Sequence, residues 1–72
     1  MDSRKVKDLR KAIGRVRAAA AVMFGSEAVA RRYMITRNFG LGGVTPLEML
    51  DQPGGEAAAM NELYAQSESG PL

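Results

Sequence analysis

The run Asn38-Phe39-Gly40-Leu41-Gly42-Gly43-Val44 leads straight into Thr45-Pro46-Leu47-Glu48, and this junction restricts the fold more than any other stretch of the chain. Three glycines within five positions do not comfortably continue a helix, so the chain turns there. Thr45 can accept a hydrogen bond from the backbone N–H three residues on, and Glu48 can reach back to the N–H of Thr45. Pro46 takes the first helical position, where its missing donor is no loss. A capping box with a proline inside it predicts a short helix from Pro46 to about Asp51. Pro53-Gly54-Gly55 then breaks the chain again.

The other periodic segments are helical as well. Val6, Leu9, Ile13, Val16, Ala20 and Met23 follow at spacings of three, four, three, four and three, which is one stripe of a helix starting near Ser3. Gly25 is its natural left-handed stop, and Ser26 can cap a second helix running to about Arg37. On that helix Val29, Ala30, Tyr33 and Met34 share one broad face. A last helix from about Glu56 to Gln66 presents Met60, Leu63 and Tyr64 as its apolar side. No strand alternation or internal repeat appears. The predicted fold is all-α, a compact bundle of about four helices with a long amphipathic first helix and a short third one after the glycine-rich turn.

A chain of 72 residues is one small domain, close to the lower size at which a single core holds without staples. It has no cysteine and no histidine, which removes disulfides, thiol nucleophiles, imidazole bases and the usual zinc ligands. No apolar run approaches the ~20 residues that span a bilayer, and the opening residues do not resemble a secretion signal. The expectation is a cytoplasmic protein with no membrane, metal or cofactor partner. The net charge is only +2, yet residues 1–20 hold seven Lys or Arg against two acids, whereas residues 41–72 hold five acids and no basic residue. Such asymmetry favours self-association or the docking of each end on a different partner.

Gly40-Leu41-Gly42-Gly43-Val44-Thr45 before a helix has the look of a phosphate cradle, but no lysine precedes the threonine and no strand precedes the loop. Acid–base catalysis needs two carboxylates in unlike environments, and Glu48, Asp51, Glu56, Glu62 and Glu68 lie in or beside amphipathic helices with no pocket to set one apart. No serine has a candidate base. The composition therefore points away from an enzyme. Nucleic-acid binding is the stronger rival: Arg4, Lys7, Lys11 and Arg15 cluster opposite the apolar stripe of the first helix and can track phosphates. The plain alternative is a solvated helix face, with Asp8 beside it and no aromatic interleaved for base stacking. A homodimer packed along the apolar stripe is a further reading of the same helix.

Phe24-Gly25, Ala30, Tyr33-Met34, Asn38, Leu41-Gly42-Gly43, Thr45-Pro46-Leu47, Leu50, Gly55, Leu63 and Gly70 stand in an order and spacing that resembles the toxin-binding C-terminal domain of MbcA/ParS/Xre-type antitoxins, over roughly residues 21–70. The resemblance implies a non-catalytic protein whose partner is a RES-domain toxin, an enzyme that consumes NAD. It further implies steric neutralisation, with the antitoxin's C-terminal end entering the toxin's active-site cleft. Carried onto this sequence, Glu68, Ser69, Gly70 and Leu72 are the expected toxin contacts. Leu41, Gly42, Gly43, Thr45, Pro46, Leu47 and Leu50 shape the scaffold that presents them. An acidic C-terminal half suits a cleft built to bind dinucleotide phosphates.

The chain departs from the family where Tyr33 replaces a usual tryptophan, which keeps a large amphipathic ring, and where Gln66 and Ser67 replace an apolar residue. It also shows no helix-turn-helix of the kind that commonly precedes this domain. Three readings follow: a free-standing neutraliser, a piece of a longer protein, or a borrowed antitoxin surface that binds a host protein. The expected organisation is a basic amphipathic helix over 1–20, a toxin-binding-like domain over 21–66 and a flexible tail over 67–72, acting in a hetero-complex or as a homo-oligomer.

Overall fold

The computed structural model describes residues 3–68, with side chains placed for 4–66. Its elements in chain order are α1 (Ser3–Phe24), α2 (Glu27–Met34), a single 3-10 turn (Phe39–Leu41), α3 (Pro46–Met49) and α4 (Gly55–Glu68). Among the described residues there is no strand, only an isolated antiparallel bridge between Asn38 and Val44. The all-α bundle of four helices predicted from periodicity is the fold observed.

Local chemistry explains most boundaries. Gly25, at φ 70°, ends α1. Ser26 is extended and its hydroxyl accepts from the Val29 N–H at 3.2 Å, which starts α2. α2 stops at Met34, three residues before the expected Arg37. The Ile35 N–H donates to the Arg32 carbonyl and the Thr36 N–H to the Tyr33 carbonyl, a tightened last turn, while the Thr36 hydroxyl donates back to the Arg32 carbonyl. A β-branched residue that bonds its own preceding turn favours exit over elongation. α3 is a single turn, shorter than the expected Pro46–Asp51, and α4 runs to Glu68, past the expected stop at Gln66.

The core is built from two ridges that each combine small residues with one larger one. α1 buries Ala12, Val16 and Ala20, and α4 buries Gly55, Ala59 and Leu63, each at a spacing of four. Small side chains let the two helices approach closely, while Met34 and Leu50 fill one end and Ala30 the other. Tyr33 and Met60 pack against both clusters and join them. Burying a side chain such as Leu63, Val16 or Met34 contributes about 1.5–3 kcal/mol each.

Two expectations about faces are corrected. The buried line of α1 centres on Ala12, Val16 and Ala20, with Leu9, Ile13 and Met23 only partly covered and Val6 at its edge. Tyr64, expected on the apolar side of the last helix, is 48% exposed, because the Gly55-Ala59-Leu63 ridge lies a residue's rotation, about 100°, away from it.

Candidate partner-binding face

Asn38 organises the glycine-rich turn. Its N–H donates to the Val44 carbonyl at 2.9 Å, its own carbonyl accepts from the Leu41 and Gly43 N–H groups at 3.0 Å each, and its side-chain oxygen accepts from the Gly40 N–H at 2.9 Å. The Asn38 side chain itself is buried, which shields its end of these bonds from water. Gly42 and Gly43 follow with φ of 80° and 87°, a left-handed pair that any side chain would strain. Leu41 turns inward and is buried.

The capping box then forms as its residues predict. The Glu48 N–H donates to the Thr45 hydroxyl and the Thr45 N–H to the Glu48 carboxylate, both at 3.0 Å. The Thr45 backbone and side-chain bonds hold the Glu48 carboxyl below the usual carboxylate range. Pro46 is fully buried and Leu50 nearly so, whereas Leu47 is 38% exposed. A side chain on Gly55 would collide with the Met49 carbonyl oxygen, so the start of α4 is seated directly on the end of α3.

This tightly bonded turn leaves Phe39 at its apex fully exposed. Beside it an open cleft of ≈ 460 Å³ is walled by Phe24, Val29, Tyr33 and Phe39 and edged by Arg32, Arg37 and Gln66. Phe24 and Val29, also exposed, line the same cleft as Phe39, and clustered exposed apolar side chains mark an interaction surface where a single ring does not. Phe24 and Tyr33 form one wall, their ring centroids 5.5 Å apart and tilted by 58°. The Tyr33 hydroxyl is buried without a hydrogen-bond partner. Burial and then the nearby Glu62 carboxylate push its pKa up. The Asn38 side chain pulls the other way. Gln66, near the end of α4, stands at the rim of this cleft.

The expected toxin contacts Ser69, Gly70 and Leu72, with the side chain of Glu68, lie outside the described residues. The expected scaffold residues Leu41, Gly42, Gly43, Thr45, Pro46, Leu47 and Leu50 span the 3-10 turn, the capping box and α3, and none of them lines the cleft. Of the basic row, Arg4, Lys7 and Lys11 are exposed, but Arg15 is drawn aside. Its guanidinium donates to both oxygens of Glu56, at 2.5 and 2.7 Å, and this bidentate pair links α1 to the start of α4. The same bonds raise the Arg15 pKa and lower that of Glu56.

Three of the acids are occupied in similar ways. Glu48 caps α3, Glu56 holds Arg15, and Glu62 accepts from the Gln66 amide at 3.3 Å. No group of three acidic side chains converges on a metal-sized site among the described residues. What the surface offers is shape, aromatic area and charge.

A family model for the antitoxin Xre/MbcA/ParS C-terminal toxin-binding domain matches residues 19–67. The chain belongs to this family. The antitoxin match covers the end of α1, the glycine-rich turn, the capping box and all of α4 but its last residue, and so includes the whole cleft. It leaves residues 3–18 of α1, and Gly70, outside. No curated protein and no solved structure gives a significant match. Membership makes this an antitoxin domain with a toxin as its partner, a binding protein by family. Among the described residues no helix of this antitoxin is long and apolar enough to cross a membrane.

Two features of the face escaped sequence reasoning. Phe39 sits between Asn38 and Gly40 in a turn, and an aromatic flanked by turn formers is itself a signal of exposure. The Arg15–Glu56 pair has no sequence signal, since 41 positions separate its members.

Proposed function

We propose that this antitoxin domain neutralises a RES-type, NAD-consuming toxin by covering its active site. The cleft beside Phe39 seats the domain on the toxin, and the segment after Gln66, with Glu68, Ser69, Gly70 and Leu72, enters the catalytic cleft. The observation that carries this reading is Phe39, fully exposed on a rigid turn, inside the toxin-binding family match and beside the end of α4. The charge distribution supports it, because residues 41–72 carry five acids and no base, and a cleft that binds dinucleotide phosphates draws carboxylates inward. The working form is a hetero-complex in the cytoplasm, where an NAD-consuming toxin finds its substrate. The chain acts as a non-catalytic wedge.

The test is an NAD-consumption assay with a purified RES-domain toxin and increasing amounts of the antitoxin. Full-length chain suppresses turnover; a variant lacking residues 67–72 binds through the cleft but leaves turnover largely intact. Equal suppression by the truncated chain would falsify the plugging mechanism.

A further inference from the structure

The charged residues around the Phe39 cleft are mostly of one sign. Between residues 24 and 44 stand Arg31, Arg32 and Arg37 and a single acid, Glu27. Arg32 and Arg37 line the cleft, and Glu27 does not. Val29, Arg32 and Tyr33, at spacings of three and four, share one side of α2, so the helix sets Arg32 at the edge of the apolar floor. Arg37 joins it from the segment between α2 and the glycine-rich turn. Both side chains are exposed, and neither forms an ion pair among the described residues; Arg37 feels the Glu48 carboxylate only from beyond ion-pair distance.

The other polar groups of the lining are committed. The Thr36 hydroxyl donates to the Arg32 carbonyl, the Asn38 side-chain oxygen accepts from the Gly40 N–H, and the Gln66 amide donates to Glu62. Glu62 itself is packed against Gly40, where an added side chain would collide with its carboxylate, and it does not line the cleft. A guanidinium only donates. The rim therefore calls for acceptors, and the group that best matches a planar fork of N–H donors is a carboxylate, held by two parallel hydrogen bonds. The floor calls for a large apolar side chain, since Phe24, Val29, Tyr33 and Phe39 offer it aromatic and aliphatic surface.

We propose that the cleft takes an acidic, apolar segment of the toxin, in which an aspartate or glutamate stands next to an aliphatic or aromatic side chain. The inference rests on the reading of this cleft as the toxin's seat and adds the chemistry of what sits there. The apolar side chain lies between Phe39 and the Phe24–Tyr33 wall, and the carboxylate meets Arg32 and Arg37. With the acidic stretch of residues 41–72, the antitoxin then has two contact regions of opposite sign. A toxin that is acidic beside a basic catalytic cleft is attracted in one orientation and repelled in the reverse, so the charge pattern fixes the register of docking.

The experiment is titration calorimetry and stopped-flow association of the full chain with a purified RES-domain toxin, at about 50 mM and about 300 mM salt. Arg32→Glu with Arg37→Glu weakens the complex at low salt by at least about tenfold, chiefly through slower association, and the gap narrows at high salt. Arg32→Gln with Arg37→Gln loses less. Lys7→Glu with Lys11→Glu on α1 makes the same change in net charge away from the cleft and leaves the affinity unaltered. Thermal melts of all these variants coincide with that of the parent, since the side chains are exposed. Changing toxin carboxylates outside its catalytic cleft to lysine, one at a time, finds one that restores binding to the Arg32→Glu, Arg37→Glu chain. Unchanged or tighter binding by the arginine variants, an equal loss in the α1 variant, or no restoring partner would each overturn the proposal. So would saturable binding of inorganic phosphate or a nucleoside diphosphate to the free chain that the arginine variants abolish, which would assign the rim to a phosphate ligand. If Phe39→Ala weakens the complex and the arginine variants do not, the cleft remains the toxin's seat and this proposal alone falls; if none of them does, both fall.

Discussion

At the scale of single residues, the glycine-rich turn owes its shape to backbone geometry and to one polar side chain. Gly42 and Gly43 occupy left-handed conformations, so Gly42→Ala or Gly43→Ala should lower stability by about 1–2 kcal/mol each in a urea titration. Asn38→Ala should do similar damage by orphaning the Gly40 N–H and opening a gap. Tyr33 behaves in the opposite sense. Its hydroxyl is buried and unbonded, so Tyr33→Phe should leave the melting temperature unchanged or raise it. Glu48 contributes a pH dependence: the folded state favours its carboxylate, so the stability it adds is present above its ordinary value near 4.5 and is lost as pH falls through the lower folded value. Glu48→Gln should flatten that acid limb of the melting curve.

The elements meet through small residues, and their tolerance follows from that. Ala20 and Ala59 are fully buried, so there is no volume for a larger side chain at either ridge. Ala59→Leu should destabilise by about 1–3 kcal/mol through overpacking, read as a drop in the urea midpoint. Gly55→Ala should be worse tolerated than its mild chemistry implies, since the added carbon meets the backbone of Met49 rather than a side chain that can swing away. The Arg15–Glu56 pair is the contrary case. Both partners are exposed enough for salt to screen them, at 57% and 36%. A double-mutant cycle on Arg15→Ala and Glu56→Ala should show a small coupling that vanishes as salt rises.

Considered as a whole, the molecule has a basic first half of α1, an acidic second half of the sequence, and an exposed ring beside an open cleft. Removing residues 1–9 should lower the thermal transition modestly, because full burial begins at Ala12 but Leu9 packs against the core cluster. Phe39→Ala should likewise leave the free domain's stability intact, as a fully exposed ring gives up no packing, yet weaken the toxin complex measurably in titration calorimetry. A fall in both stability and affinity would mean that the ring supports the fold instead of the interface.

The order of the helices, the left-handed stop at Gly25, the caps at Ser26 and Thr45 and the family pattern were all legible in the chain, because each depends on residues within a few positions of one another. So was the separation of basic and acidic ends. What the chain alone left open was everything set by the meeting of distant segments. The α1 ridge turned out to centre on Ala12, Val16 and Ala20 because Ala59 and Leu63 press on that side; Tyr64 faces water because that same ridge consumes the contact; Arg15 left the basic row because Glu56 came within reach. Phe39 was readable as a residue but not as a surface, since exposure is decided by which helices close around a turn. Local propensity and capping act through the backbone of one segment, whereas burial and ion pairing between distant residues exist only between segments, and that is why the tertiary structure alone determined the exposed ring and cleft proposed as the binding face.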